Sequence, residues 1–421
     1  TPHCDARGGT MRTVGHAIAR SPVGHALTAA PVAATGAAAM SRDVPGVQAL
    51  RGHIPALDGV RGLAVILVML LHFIGNTTPT NRFEEALVYV LGHGMLGVDL
   101  FFVLSGFLIT GILYDGWGKP NYYRNFYMRR LLRIFPLYYG VLIAVVFVAP
   151  AIPGIRSDAL DHISEHQAWL WLYGVNFFHA LQGEWALTYV NHFWSLAVEE
   201  HYYLLWPFVV GALRSRPRIL MFVSLAAASA SYVGNAAVAA LGFPSTVGMM
   251  TPLQLHGIAL GSFLAVFARQ PGGFDRLVRW YPRVAAAAAG LLLASFAWHR
   301  ITDFGHEILR HLRPGLFLVM LACILLWAVT GPRGSLASRL FANRTMVFFG
   351  TYSYGLYVYH HFISYYFVRN GTEFALASLV GSHTVAVFLQ AAAGTAASIA
   401  LAWLSYHAYE KRFLALKSRF A

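Results

Sequence analysis

An arginine and a histidine lie near the two ends of one apolar segment. Arg61 and His72 are eleven positions apart, which in a helix is three turns plus about 20° and roughly 16 Å of rise, so both side chains share one face. Ionisable residues inside a membrane span are functional candidates because burying their charge is costly. Arg61 suits an anionic donor that enters from the cytoplasm, and the His72 imidazole could take a proton from an attacking hydroxyl. The structural alternative makes Asp58 an N-cap paired with Arg61, and His72 an interfacial histidine.

Two further arginines stand three positions apart in the run MRRLLRIFP (128–136). On a helix Arg130 and Arg133 share a face, which we expect at the cytoplasmic surface. Paired guanidinium groups suit phosphates. From spacing alone a topological role is favoured, because the cytoplasmic loops of membrane proteins carry arginines in any case.

A segment that begins NHFWSLAVEEHYY (191–203) combines carboxylates with aromatic rings. Glu199 and Tyr203 are four positions apart and share a helix face, whereas Glu199 and Glu200 point to different sides, so at most one of them is expected to face a given cavity. With Trp194 they could bind a sugar at the outer face by hydrogen bonding and stacking. The alternative is an aromatic belt at the membrane interface, which fits the tryptophan better than the glutamates.

The remaining intramembrane polar residues carry weaker signals. Asp99 lies within the second apolar segment and needs a partner, so it could orient a histidine or balance an arginine. Ser105 and Gly106 in the same segment are interpreted as structural, with Gly106 permitting close helix packing.

Two adjacent histidines lie in the ninth apolar segment, after SYGLY (353–357). His360 and His361 are more typical of an interface than of catalysis, and His360 is kept as a candidate substrate-binding residue beside Trp194 and Tyr203. We find no Cys/His metal-ligand spacing, Walker loop or G-x-S-x-G elbow, so no metal is expected. The two cysteines of the chain are too few for a disulfide framework or a zinc site.

Composition places these residues in a membrane protein. Of 421 residues, 57% are hydrophobic and 12% are charged, against about 25% charged in soluble domains. Several apolar runs reach the roughly 20 residues that cross a bilayer. The net charge of +13 could indicate nucleic-acid binding, but the basic residues are scattered between apolar runs. The positive-inside rule explains them better, and no nucleic-acid partner is expected.

The sequence predicts an all-α integral membrane protein with about ten transmembrane helices. A short apolar piece at 169–181, broken by Gly174 and Asn176, is predicted to be re-entrant or interfacial on the outer side. If it does not cross, most arginines and lysines fall in the loops on one side, which places both termini in the cytoplasm and the protein in the inner (plasma) membrane. The predicted spans are 57–75, 95–114, 134–150, 196–212, 219–241, 252–268, 283–299, 314–330, 346–368 and 380–404.

Residues 1–52 differ from the rest, being rich in alanine and arginine and poor in acidic residues. A signal or transit segment is one interpretation, but Pro31 and the lack of a clean apolar core argue against a signal peptide. We interpret this stretch as a disordered cytoplasmic arm or an overextended start, with Met40 as an alternative beginning. Residues 53–417 then form one transmembrane domain, with no appended soluble domain expected after the last helix.

Together the segments resemble the acyltransferase-3 family, the integral-membrane O-acyltransferases that decorate bacterial surface glycans, Nod factors and macrolides. The resemblance covers 54–417, with the motifs in the family's order. They are LDGVRGLA (57–64) with His72 as R-x10-H, GVDLFFVLSGF (97–107), RRLLRIFP (129–136), FWSLAVEEHYYLLWP (193–207), SYGLYVYH (353–360) and YEKR (409–412).

The resemblance implies ten core helices and an acyl-CoA donor, usually acetyl-CoA, bound from the cytoplasm. It implies that Arg61 and His72 are essential and that Arg130 and Arg133 lie near the CoA phosphates. Glu199 would belong to the acceptor or catalytic region, with the acceptor usually on the outer side. Whether His72 is a general base or carries the acyl group itself is left open.

The chain departs from the family pattern before Gly261. Many members carry an arginine and an aspartate there, where this chain has Gln254 and His256. Because that segment could line the acceptor pocket, the substrate class is the least determined property. The SGNH-type esterase domain of longer members is also not expected.

The predicted function is transfer of an acetyl or similarly small acyl group from acyl-CoA to a carbohydrate hydroxyl, such as one of a surface polysaccharide. The acceptor could instead be a macrolide or another small glycoside. From a different class, the same buried ionisable groups could serve a proton-coupled transporter, although no inverted repeat is visible. A catalytically silent scaffold is disfavoured because Arg61, His72 and Glu199 are all present. Membrane lipid is an expected partner, and the oligomeric state is left open.

Overall fold

The computed structural model of the protein describes residue 50 and residues 52–153, 156–301 and 305–420. Apart from residues 50 and 52, the predicted arm at 1–52 lies outside the described residues, as do Pro31 and Met40. The described residues form helices and no β-strand, which confirms the all-α prediction.

The first half of the described chain alternates long helices with short ones. The helices are α1 (Pro55–Leu70), α2 (Arg82–Leu91), α3 (Leu96–Gly116), α4 (Tyr122–Ile143), α5 (Asp158–Glu165), α6 (Gln167–Trp171), α7 (Val175–Gln182) and α8 (Phe193–Leu213). A π-helical turn at Leu71–Gly75 continues α1 and carries His72.

The second half has the same character. Its helices are α9 (Pro217–Ala240), α10 (Thr251–Ala268), α11 (Gly273–Ile301), α12 (His306–Thr330), α13 (Leu336–Phe341), α14 (Arg344–Thr351), α15 (Ser353–Arg369), α16 (Thr372–Val380), α17 (His383–Ser405) and α18 (Lys411–Ala415). A π-helical turn, Tyr406–Glu410, joins α17 to α18, and a last helical turn covers Leu416–Phe420.

Among the described residues, seven helical segments are long and apolar enough to cross a membrane. The predicted spans 196–212, 283–299 and 346–368 are also helical, but they are not among these seven segments. The count of ten therefore stays a prediction. The seven segments are Pro55–Gly75, Arg82–Gly116, Tyr122–Ala151, Pro217–Ala240, Thr251–Ala268, Ile308–Thr330 and His383–Phe420.

Three boundaries differ from the sequence prediction. The third span was expected to begin at 134, but α4 begins at Tyr122, so the paired arginines lie inside the helix rather than in a loop. The span at 346–368 is two helices that meet at Tyr352, which leaves the helical conformation with ψ near 4°. Asp58 is not an N-cap. Pro55 starts α1, so Asp58 lies in the first turn of the helix, where its negative charge interacts favourably with the positive end of the helix dipole.

The segment at 169–181 is not one helix. α6 and α7 have five and eight residues, and at about 1.5 Å per residue each is far shorter than the bilayer core. Two tyrosines of α4 hold this region, since Tyr138 and Tyr139 donate hydrogen bonds to the carbonyls of Leu170 and Trp171 at 2.8 and 3.1 Å.

Small residues allow the central helices to approach closely. A Cβ atom at Gly106 of α3 would overlap the carbonyl oxygen of Ile258 in α10, and one at Gly261 of α10 would overlap the carbonyl oxygen of Val103. Reciprocal contacts of this kind are typical of helix packing in membranes, where close approach rather than water exclusion drives association. They hold α3, which forms one wall of the cavity described below.

Gly106→Ala should destabilise the protein, because the added methyl group meets backbone that cannot rotate away. Overpacking of this kind costs about 1–3 kcal/mol. Gly290→Ala is the matched control, since a Cβ there meets nothing within 4 Å and alanine favours a helix. Thermal unfolding in detergent should show a lower midpoint for Gly106→Ala and an equal or higher one for Gly290→Ala. Equal midpoints for both variants would contradict the close α3–α10 contact.

Candidate functional site

Three arginines and two glutamates line one cavity of ≈ 110 Å³ between α1, α3, α4, α8 and α15. The apolar part of its wall comes mostly from α3. The ionisable and hydroxyl-bearing residues of the wall are Arg61, Ser105, Arg130, Arg133, Ser195, Glu199, Glu200, Tyr203, Ser353, Tyr354 and Tyr357.

The arginines carry positive charge that the surrounding protein compensates only in part. Arg61 donates a 2.5 Å hydrogen bond to Asp58, which also lies 2.6 Å from the His53 ring. The Arg130 guanidinium lies 4.8 Å from the centre of the Tyr203 ring. Within the described part of the chain, neither Arg130 nor Arg133 has a carboxylate partner within ion-pair distance. A partly buried cluster of cations with this deficit favours an anionic ligand.

The acidic wall comes from α8. Both Glu199 and Glu200 line the cavity, so the expectation that at most one would face it is wrong. Two neighbours on a helix are about 100° apart, and a cavity that curves around α8 reaches both. Tyr203 also lines the cavity and shares a short hydrogen bond with Ser105.

Tyr357 separates this cavity from a second polar centre. Its hydroxyl lies 2.5 Å from that of Ser195 and donates a 2.9 Å hydrogen bond to the His192 carbonyl. Its ring contacts the His192 and His360 rings, with centroids 5.5 and 5.6 Å apart. Because the same side chain lines the cavity, Tyr357 and Ser195 form the partition between the two.

The second centre is a cluster of four histidines, which we call the histidine cluster: His72, His192, His360 and His361. The His72 ring lies 4.9 Å from that of His360 and 5.1 Å from that of His361, and His192 stacks on His361 at 4.5 Å. His72 and His360 are site residues predicted from the sequence, whereas His192 had no predicted role. The cluster joins the π-helical turn after α1 to α15 and the start of α8.

Hydrogen bonds determine which nitrogen of His72 carries the proton. His360 Nδ1 lies 3.0 Å from the Leu356 carbonyl, which can only accept, so Nδ1 is the protonated nitrogen and Nε2 has a free lone pair. His72 Nδ1 lies 2.9 Å from the Val68 carbonyl and 3.2 Å from His360 Nε2. It therefore donates to both acceptors, which leaves the lone pair of His72 on Nε2.

The structure divides the predicted site residues into two groups. Arg61, Arg130, Arg133, Glu199 and Tyr203 meet at the cavity, whose wall does not include His72 or His360. Those two meet each other in the histidine cluster instead.

Trp194, which was predicted to bind a sugar, belongs to neither group. Its side chain is 4% exposed and packs edge-on against Phe102 at 6.1 Å, so it is a core residue and not part of an exposed sugar platform. His360 is fully buried as well. It contacts His72 rather than an open surface, and its predicted role in substrate binding stays a prediction.

Asp99 has the histidine partner that the sequence analysis considered possible. Its Oδ1 lies 3.9 Å from His256 Nε2. Gln254 donates to the Gly248 carbonyl at 3.0 Å. The two residues that depart from the family pattern thus lie on α10 beside the start of α3.

The sequence did not predict the serine hydroxyl groups of the site, nor His192 and His361 of the histidine cluster, as functional residues. Ser105 was interpreted as structural, yet it lines the cavity and bonds Tyr203. Nothing in the local pattern relates Ser195 to Tyr357, which are 162 positions apart. His192 lies in the polar segment 191–203, at the start of the helix that carries Glu199. That position was the one sequence feature that could have indicated a role for His192.

Comparisons with known proteins show which family the chain is similar to. The model of the acyltransferase domain (acyltransferase family 3) matches residues 54–407. The chain is 30% identical to the peptidoglycan O-acetyltransferase OatA of Listeria monocytogenes, over 74% of this chain and 49% of that protein. It is 28% identical to the putative peptidoglycan O-acetyltransferase YrhL of Bacillus subtilis, over 73% and 48%.

A third relative is the O-acetyltransferase OatA of Staphylococcus aureus, 27% identical over 75% of this chain and 52% of that protein. The chain thus spans about half the length of the curated relatives it matches. No solved structure matches it significantly.

The hydrogen-bond pattern predicts that His72 is the Nδ1–H tautomer. In protein labelled with ¹⁵N-histidine, the His72 signals, assigned by their loss in His72→Asn, should show a protonated Nδ1 and an unprotonated Nε2. The reason is that Val68 and His360 present only acceptors to Nδ1. A protonated Nε2 with a bare Nδ1 would contradict the arrangement.

Proposed function

The chain belongs to the acyltransferase-3 family, and we propose that it is a membrane O-acetyltransferase that transfers an acetyl group from acetyl-CoA to a hydroxyl of a cell-wall carbohydrate. One observation supports this proposal most strongly. Arginines whose positive charge is only partly neutralised by carboxylates line a cavity, and the adjacent His72 has its free lone pair on Nε2. The printed names of the relatives, peptidoglycan O-acetyltransferases, favour a cell-wall glycan over a macrolide or another small glycoside.

Arg61, Arg130 and Arg133 would hold the phosphates of the donor. Guanidinium groups bind phosphate oxygens in pairs, and among the described residues Arg130 and Arg133 have no carboxylate within ion-pair distance, whereas Arg61 is paired with Asp58. Lys417, in the last helical turn, interacts electrostatically with all three arginines. Arg129 donates to the Phe420 carbonyl at 3.5 Å, which keeps that turn against α4.

The size of the cavity favours the acyl end of the donor. A volume of ≈ 110 Å³ is small beside the 300–1,000 Å³ of typical sites for drug-sized ligands. It suits a narrow thioester chain, while the nucleotide stays at the arginine-lined mouth. Most loops on that side are basic, so this mouth is assigned to the cytoplasm.

His72 would act as the general base at Nε2. It removes the proton of the acceptor hydroxyl while the oxygen attacks the thioester carbonyl, and the carbon–sulfur bond then breaks. The proton passes from Nε2 to the departing thiolate, which regenerates the neutral ring and releases CoA. Because Nδ1–H donates to His360 Nε2 and to the Val68 carbonyl, the positive charge on His72 is stabilised during the transfer. In the alternative mechanism, His72 Nε2 attacks the thioester and carries the acyl group covalently, which requires the same free lone pair.

The partition between the two centres must open for this reaction. The thioester reaches His72 only if the Tyr357 side chain leaves the wall that it shares with Ser195. Tyr357 would then admit the acyl group while the rest of the donor stays on the arginine side.

The acceptor would approach the histidine cluster from the outer side. His361 Nδ1 donates to the Tyr189 carbonyl at 3.3 Å, and the Tyr189 ring meets Tyr365 edge-on at 4.7 Å. Arg369 donates to the Tyr189 hydroxyl at 2.9 Å. Aromatic faces with an exposed guanidinium suit a carbohydrate that carries hydroxyl and carboxylate groups.

Removing the base should abolish transfer without removing the donor site. His72→Ala is expected to lower the rate of O-acetylation in membranes or proteoliposomes by about 10²–10⁴-fold, with acetyl-CoA affinity nearly unchanged. His93→Ala is a matched control, because His93 Nδ1 makes the same bond to a carbonyl four residues earlier but lies at an exposed position. Normal acetylation by His72→Ala would contradict both roles of His72.

Removing the paired arginines should weaken donor binding. For Arg130→Ala with Arg133→Ala, calorimetry with acetyl-CoA and with CoA should show at least about tenfold weaker binding, because each lost charge-assisted contact is worth about 1.5–3 kcal/mol.

Arg276→Ala with Arg279→Ala is the control for charge and spacing, since these exposed arginines are also three apart. Equal affinity in both double variants would return Arg130 and Arg133 to a topological role. Absence of binding in the wild type would instead contradict the CoA donor and favour a transporter.

A further inference from the structure

The last turn of α5 carries the sequence His162-Ile163-Ser164-Glu165-His166, which has H-x-x-E-H spacing. The sequence analysis found no metal-ligand spacing and expected no metal. Among the described residues, the side chains of His162, Glu165 and His166 are the one group whose ligand atoms all lie within 4.8 Å of one another, close enough to hold a metal ion.

The geometry of these three residues follows from their positions. Residues i, i+3 and i+4 share one helix face, so the two imidazole rings lie close together, with centroids 4.4 Å apart and planes inclined at 52°. Glu165 is exposed, and both histidines are partly exposed, so an ion can reach them without unfolding. The Phe178 ring of α7 lies 4.8 Å from the His166 ring and 6.5 Å from the His162 ring and limits their rotation.

Free lone pairs are available on both rings. His166 Nδ1 donates to the His162 carbonyl at 3.1 Å, which leaves the lone pair of His166 on Nε2. The His162 ring makes no hydrogen bond to the described residues, and its Nδ1 lies 4.0 Å from a Glu165 oxygen. A backbone bond that orients a ligating histidine in this way is common at metal sites.

The local charge also favours a cation. The turn lies at the carboxyl end of α5, where the helix dipole is negative. Asp158, Asp161 and Glu165 stand within eight positions, and the neighbouring Arg156 is already paired with Asp161 at 3.2 Å. This acidic stretch is unusual in a chain with a net charge of +13.

We propose that His162, Glu165 and His166 bind one Zn²⁺ ion, with an open fourth position for water. Two imidazoles and one carboxylate are ligands that zinc prefers, whereas magnesium and calcium prefer oxygen alone. Zinc–nitrogen bonds of about 2.0–2.1 Å require only small side-chain rotations from the present arrangement. The ion would fix the last turn of α5 and its C-cap residue His166, directly before α6, whose carbonyls already hold Tyr138 and Tyr139 of α4. It would thus stabilise the segment between α4 and α8, independently of the proposed acyl transfer.

The test measures metal binding by the full chain purified without a polyhistidine tag. Zn²⁺ calorimetry and the visible absorption of bound Co²⁺ should show one saturable ion per chain in the wild type. Binding should be lost in His162→Ala with His166→Ala, weakened at least tenfold in Glu165→Gln, and unchanged in His93→Ala. The wild type and His93→Ala, but not the double variant, should also gain thermal stability with Zn²⁺.

Absence of saturable binding in the wild type would overturn the proposal. Undiminished binding in the double variant would do the same and would point to other histidines, including those of the histidine cluster. If the double variant does not fold, Glu165→Gln decides, because an unchanged affinity there excludes Glu165 as a ligand. Acetyl-CoA binding is measured in the same preparations. Because the proposed zinc and donor sites share no residue, the result for one does not depend on the result for the other.

Discussion

Positive charge gathered in one cavity is the constraint on which the rest of the site depends. Arg61 comes from α1, and Arg130 and Arg133 come from α4, while Glu199 and Glu200 face them from α8. Cations held together away from bulk water repel one another unless an anion or fixed dipoles compensate them. Within the described residues, Asp58 alone forms an ion pair with one of these three arginines. The helices must therefore be held rigidly in a repulsive arrangement, which the phosphates of the donor would relieve under the proposed function.

Close helix packing supplies that rigidity. In a bilayer, backbone hydrogen bonds are satisfied inside each helix, so only side chains can build a site between helices. Gly106 and Gly261 bring α3 and α10 into backbone contact, which fixes the wall opposite the arginines. The π-helical turn at Leu71–Gly75 changes the direction of the side chains at the end of α1. That turn places His72 against α15 rather than along the cavity.

The arrangement separates binding of an anion from proton transfer. Tyr357 and Ser195 divide the arginine cavity from the histidine cluster, and hydrogen bonds along Leu356, His360 and His72 orient the imidazole. Under the proposed function, this partition keeps water and acceptor away from the thioester until Tyr357 moves. An enzyme that joins reactants from opposite sides of a membrane needs such a barrier, since an open channel would let water attack the donor or let ions leak.

The sequence by itself determined the all-helical membrane architecture, the approximate position of the spans and the candidates Arg61, His72, Arg130, Arg133 and Glu199. These follow from local composition and spacing, which set hydrophobic periodicity, charge distribution and the order of the motifs. Only the tertiary structure decided that His72 pairs with His360, 288 positions away, that both glutamates face the arginines, and that Trp194 is buried. Spacing gives the direction of a side chain around its own helix axis. The rotation of each helix against its neighbours, and the break at Tyr352, depend on packing between distant segments and cannot be read from one segment alone.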